Sequence, residues 1–149
     1  MLDPENQFHI VRADRELQEG GGVCAFISKK HRIKVTEVNI CKNMDITSFE
    51  LYNSCNSYRF ICVYRPPKYD IAAHEDLFSL AKYIENQTLG HRGPVVVIGD
   101  INCPNINYAT YSNTTNRLEQ NIQDALNYNG FHQCVPSATR GNNILDVVC

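Results

Sequence analysis

Val95-Val96-Val97-Ile98 is an unbroken run of β-branched residues that ends on Gly99-Asp100. Such side chains favour extended backbone, and the lack of polar alternation is what a strand covered on both faces requires. A strand of this kind belongs in the middle of a sheet. The preceding segment agrees: between Ala72 and Gln87, the residues Leu77, Leu80, Ala81 and Ile84 recur at helical spacing, and Gly90 and Gly93-Pro94 then break the pattern. A second helix is predicted over Asn116 to Tyr128, with Leu118, Ile122 and Ala125 on one stripe and Asn129-Gly130 as its stop. Phe131 to Val135 and Ile144 to Val148 read as two further strands.

Before Pro66-Pro67 the pattern differs. Phe8 to Val11, Val23 to Ser28, Ile33 to Val38, Phe49 to Tyr52 and Tyr58 to Tyr64 read as short strands between polar or glycine-rich turns, an antiparallel meander. The whole is therefore a mixed α/β sheet protein with antiparallel pairs first. Its 149 residues suit one domain, and no internal repeat or linker divides them. The longest apolar stretches, Phe60 to Tyr64 and Val95 to Ile98, are far shorter than the roughly 20 residues that span a bilayer. No membrane association is expected. Asp3 and Glu5 stand where a secretory signal would be basic and then apolar, so the expected location is intracellular, nuclear or cytoplasmic. The seven cysteines include no C-x-x-C pair and fit a reducing compartment.

Formal net charge is -2, so any nucleic-acid contact has to be local rather than a global basic field. Lys29, Lys30, His31, Arg32 and Lys34 read as a solvated hairpin tip, with a phosphate-contacting patch as the alternative. Gly99-Asp100-Ile101-Asn102 is the strongest chemical signal, because ligands of open α/β sheets gather at the carboxyl ends of buried strands. An extended chain would put Asp100 and Asn102 on one side, a carboxylate beside an amide, able to hold a water or a metal-bound oxygen. An Asx turn capped by Asp100 is the other reading of the same residues.

Tyr64-Arg65-Pro66-Pro67 ends a strand that two prolines cannot continue, which places a phenol and a guanidinium at a sheet rim. There they suit a phosphate, though plain strand termination explains them too. In Ile144-Leu145-Asp146-Val147-Val148 a carboxylate interrupts an apolar strand. It needs a partner such as Arg140 if buried, and none if the strand is an edge.

Taken in order, Arg12-Ala13-Asp14-Arg15, Gly20-Gly21-Gly22-Val23, Tyr64-Arg65-Pro66-Pro67, Gly99-Asp100-Ile101-Asn102-Cys103-Pro104, Thr139-Arg140 and Leu145-Asp146-Val147-Val148 resemble a known family. It is the endonuclease/exonuclease/phosphatase domain of non-LTR (LINE-type) retrotransposons, related to abasic-site endonucleases and pancreatic deoxyribonuclease. The resemblance spans nearly the whole chain and implies a two-sheet α/β sandwich, the DNase I-like fold, that cleaves DNA phosphodiester bonds with Mg²⁺. It implies that Asp100 positions or deprotonates the attacking water, that Asn102 supports the same phosphate site and that Tyr64 contacts the scissile phosphate. Asp146 corresponds to the carboxylate that orients a catalytic histidine, and Arg65 and Arg140 would bind substrate. DNA is the implied partner, beside the reverse transcriptase of a longer product.

The sequence departs from the family pattern in places. Asn107-Tyr108 stands where those proteins commonly read Asp-Trp, and Ile101 where they read Phe. A metal-ligating glutamate should precede the matched stretch, yet Glu5 is too close to Arg12 to be it; a Ser-Asp-His segment should follow Asp146. The expectation is thus a partial domain, with no assigned metal ligand except Asp100 as a candidate, and with weak or absent activity alone. Two alternatives stand beside it: a non-catalytic remnant that binds nucleic acid or a partner, and a phosphoesterase of the same superfamily acting on a small phosphorylated substrate. Arg65-Pro66-Pro67 and Gly20-Gly21-Gly22-Val23 favour the retroelement branch over the last.

Overall fold

The computed structural model describes residues 3, 5–14, 22–36, 41, 43–67, 71–110, 112 and 116–149, with backbone alone at 71–74. Arg15, Gly20, Gly21 and the end of the strand predicted to reach Val38 lie outside the described residues. Strands β1 (Phe8–Ala13) and β2 (Val23–Ser28) make an antiparallel two-stranded sheet. Strands β3 (Arg32–Thr36), β4 (Asp45–Tyr52), β5 (Ser57–Tyr64), β6 (Val95–Asp100) and β7 (Asp146–Val148) make a five-stranded sheet in that spatial order. Among the described residues only the β5–β6 pair is parallel, and a parallel neighbour demands a crossover. Helix α1 (Ile71–Leu89) supplies it.

The predicted apolar stripe of α1, Leu77, Leu80, Ala81 and Ile84, is buried against Ile46, Ile61, Val63, Val97 and Val147 of the large sheet. Helix α2 (Arg117–Tyr128) adds Ile122 and Leu126 to this core. Each such side chain contributes roughly 1.5–3 kcal/mol by leaving water. The opposite sheet face carries a smaller core, in which Val11 and Ile27 of the two-stranded sheet cover Phe49 and Cys62. The Phe49 and Phe60 rings stack there at 5.0 Å. The result is an α/β arrangement of two packed sheets, with both helices on the outer face of the larger one.

Several sequence expectations are corrected by this topology. The meander is split: β2 and β3 belong to different sheets, so Lys29 and Lys30 lie on a sheet-to-sheet corner rather than a hairpin tip. Strand β6 is an interior strand, next to the edge strand β7, and is covered on one face only; Val97 is buried while Ile98 remains 37% exposed. Phe131 to Val135 is not a strand. The Cys134 N–H does donate to the Val148 carbonyl at 2.7 Å, but the Val148 N–H goes to the side chain of Gln133 at 2.9 Å, so a ladder cannot propagate. Strand β4 also starts earlier than Phe49, because Asp45, Thr47 and Ser48 are polar yet buried. Among the described residues no helix is long and apolar enough to cross a membrane.

Candidate active site

Strand register assembles the site. Tyr64 is the Cα partner of Asp100 across β5–β6, and Asp100 is the partner of Asp146 across β6–β7. Residues opposite one another point to the same sheet face, so a phenol and two carboxylates form one row at the carboxyl end of β6. Asp45, opposite Tyr64 across β4–β5, extends the row by one strand. Its Oδ2 accepts the Gly22 N–H at 2.8 Å, which ties the start of β2 to this edge. Sequence reading passed over Asp45 because a lone carboxylate at a strand start looks like a solvated turn.

Beyond Asp100 the chain turns instead of staying extended. The Asn102 N–H donates to Asp100 Oδ1 at 3.0 Å, an Asx turn, and Asn102 takes a left-handed φ of 48°. Asn102 is consequently 3% exposed, and its Nδ2 donates to the Arg65 carbonyl at 2.7 Å. The Asn102 amide does lie beside the Asp100 carboxylate, as expected, and hydrogen-bonds to it, while the same side chain is also tied to the protein interior. Arg65 also departs from its predicted rim position: it is 2% exposed, and its Nη1 donates to the carbonyls of Ile101 at 3.3 Å and Asn102 at 2.9 Å. With the Arg65 N–H on the Asp100 carbonyl at 2.8 Å, this guanidinium clamps the loop that carries Asp100.

Strand β7 is the sheet edge, and Asp146 faces water, as the edge alternative anticipated. Thr139 fixes its backbone: Oγ1 accepts the N–H of Leu145 at 3.0 Å and of Asp146 at 3.3 Å. A tight turn follows, closed by the bridge between Arg140 and Asn143, and it carries the Arg140 cation into the electrostatic field of Asp100. Tyr64, Asp100, Asp146 and Arg140 are therefore brought together, while Arg65 and Asn102 support them from beneath. Thr139 belongs to the Thr139-Arg140 motif quoted above, but that motif gave it no role, because its partners, the N–H groups of Leu145 and Asp146, meet its hydroxyl only in the folded chain.

Burial raises the Asp100 pKa, and the neighbouring Asp146 charge adds to the rise; the Asn102 hydrogen bonds and Arg140 oppose it. A carboxyl whose folded pKa lies above its unfolded value weakens the fold when ionised, and this penalty disappears as pH falls through the folded pKa. Asp100→Asn keeps an acceptor for the Asn102 N–H but removes the charge. Its melting temperature is thus expected to exceed that of the parent at neutral pH, with the two curves converging under acid conditions. A variant no more stable at neutral pH would contradict this electrostatic picture.

Mg²⁺ takes an octahedron of hard oxygens, usually one or two carboxylates with water and substrate phosphate. Asp100 and Asp146 offer two carboxylates, but among the described residues no group of three or more His, Cys, Asp or Glu side chains could hold a metal. These residues do not make a complete resident metal site.

Residues 58–149 match the sequence model of a family described as endonuclease-reverse transcriptase. In three dimensions the chain is similar to the endonuclease domain of TRAS1, a telomere-specific non-LTR retrotransposon, with a TM-score of 0.59 and 17% identity. The alignment covers 96% of this chain and 64% of that one, so the chain spans less than two thirds of the solved domain. At that identity the likeness is one of fold, the DNase I-like sandwich. No curated protein gives a significant match.

Proposed function

We propose, from the premise that this chain belongs to the endonuclease-reverse transcriptase family, that its row of Tyr64, Asp100 and Asp146 serves hydrolysis of DNA phosphodiester bonds. The observation that supports this most is the register that puts a partly desolvated carboxylate between a phenol and a second carboxylate, at the end of an interior strand. In the proposed reaction, a water oxygen forms a bond to phosphorus while Asp100 accepts its proton. The bond from phosphorus to the sugar oxygen breaks, and that oxygen leaves with a proton from solvent. Tyr64 donates a hydrogen bond to a non-bridging oxygen, and Arg140 offsets the charge that accumulates there. Asp146 keeps the proton affinity of Asp100 high. Asn102 and Arg65 act as positioning residues for the loop.

The family is expected to be metal-dependent, with Mg²⁺ the ion that suits phosphodiester chemistry. Because the described side chains do not complete a metal site, we further propose that this chain alone cleaves slowly, and that in its retroelement context it works beside the reverse transcriptase of a longer product. The same incompleteness supports a second function, a non-catalytic module that only binds nucleic acid.

Relaxation of supercoiled plasmid with and without Mg²⁺ separates the two. Slow Mg²⁺-dependent nicking is expected, falling at least about 100-fold in Asp100→Asn. Equal rates for parent and variant at every Mg²⁺ concentration would remove Asp100 from the chemistry and leave the binding module. Fast nicking abolished by Asp100→Asn would keep the nuclease and discard the claim of weak activity alone.

A further inference from the structure

Glu119 is a buried carboxylate that the chemistry above does not use. It is 0% exposed, in the first turn of α2, three positions after the N-cap Asn116. A glutamate at that position ordinarily reaches back to the N-cap backbone N–H. Here it reaches elsewhere. Its Oε2 accepts the Asn105 N–H at 2.8 Å, and its Oε1 accepts Nδ2 of Asn105 at 2.9 Å and Nδ2 of Asn116 at 3.1 Å. The helix end is capped by Asn116, whose Oδ1 accepts the Leu118 N–H at 2.9 Å while its Nδ2 is the group that touches Glu119. Burial is costly for a carboxylate and raises the Glu119 pKa, while the Asn105 bonds and the Arg65 cation act against the rise. Helix capping alone does not require full burial, nor two bonds to a residue on another segment.

Asn105 closes the loop that begins at Asp100. At the near end, Arg65 holds the carbonyls of Ile101 and Asn102; between them, Cys103 Sγ donates to the Ile101 carbonyl at 3.3 Å. At the far end, Glu119 holds Asn105 by both its backbone and its side chain. The left-handed Asn102 lies between these anchors, and both its N–H and its side chain hydrogen-bond to the Asp100 carboxylate.

We infer that Glu119 is a positioning residue for catalysis: by anchoring Asn105 it fixes the Asx turn at Asn102 and through it the Asp100 carboxylate. This rests on the nuclease function proposed above. Glu119→Gln keeps the side-chain size but replaces one of two acceptor oxygens with a donor, so one Asn105 donor loses its partner whichever way the amide is turned.

The test is amide hydrogen exchange together with plasmid nicking. In Glu119→Gln the Asn105 amide is expected to exchange about 10- to 100-fold faster. The decisive probe is the Asn102 amide, which does not touch Glu119; it is expected to accelerate at least about tenfold as well, while β4 amides keep their rates. The nicking kcat should fall by a similar factor with KM for DNA unchanged. Adding Asn105→Asp to Glu119→Gln lets the new amide donate to the new carboxylate and should restore both readouts. If Asn105 accelerates and Asn102 does not, Glu119 holds Asn105 without fixing the Asx turn and the inference is overturned. Should Glu119→Gln fail to fold, Asn105→Ala, which leaves the helix cap intact, must accelerate Asn102; no acceleration there overturns it equally. A parent chain without nicking would defeat the nuclease function, whereas the Asn102 amide would still decide the role of Glu119.

Discussion

Gly99→Ala is expected to remove a large part of the chain's folding stability. Gly99 has a φ of 139°, and a Cβ there would fall 1.9 Å from the Val63 carbonyl oxygen and 2.9 Å from its carbon. Both obstacles are backbone atoms of the adjacent parallel strand, so no side-chain rotation relieves them. The strands must separate or the chain must change φ, and either disrupts the pairing that holds Tyr64 against Asp100. We expect a loss of about 4 kcal/mol or more, against a total stability of roughly 5–15 kcal/mol for a domain. Gly141→Ala is the matched control: φ is 60°, but nothing lies within 4 Å of the added carbon. That change should cost only about 1–2 kcal/mol, the strain of the left-handed conformation alone. Urea titrations followed by circular dichroism would give both values, and similar costs for the two would show that the Val63 contact is not the cause.

The second large effect is expected at Arg65. Lysine retains the positive charge yet offers an ammonium on a flexible stem in place of a planar fork of donors. Arg65→Lys should therefore lose part of the contact to the Ile101 and Asn102 carbonyls and destabilise the protein by about 3 kcal/mol. A surface phosphate ligand would behave differently, since lysine serves as a point charge and stability would hardly change. The denaturation midpoint of Arg65→Lys therefore distinguishes the clamp seen in the structure from the rim ligand suggested by Tyr64-Arg65-Pro66-Pro67. An unchanged midpoint would return Arg65 to the substrate-binding group.

Local chemistry made much of this fold legible. The spacing of Leu77, Leu80, Ala81 and Ile84 marked the buried face of α1, and Asn129-Gly130 marked the end of α2. The valine run marked an interior strand, and its carboxyl end marked Asp100 as the residue to watch. Errors arose where distant groups decided the outcome. Gln133 replaces a backbone partner of Val148, which no propensity encodes. Asp45 and Ser48 look like loop residues until neighbouring strands bury them. Arg65 and Glu119 carry charges that sequence patterns assign to the surface, and both are buried because the loop after β6 supplies polar groups for them.

The order of apolar runs, turns and glycines therefore determined which segments become strands and helices, and the motifs within them identified the family resemblance. That information is local: side-chain branching sets backbone preference, and apolar period sets which face is buried. Only the tertiary structure decided that the first strands divide between two sheets and that β6 has one open face. It also decided that Tyr64, Asp100 and Asp146 share a row while Arg65 and Asn102 turn inward. The physical reason is that strand register and the burial of a polar side chain depend on hydrogen-bond partners dozens of residues away, and these meet only when the sheet has formed.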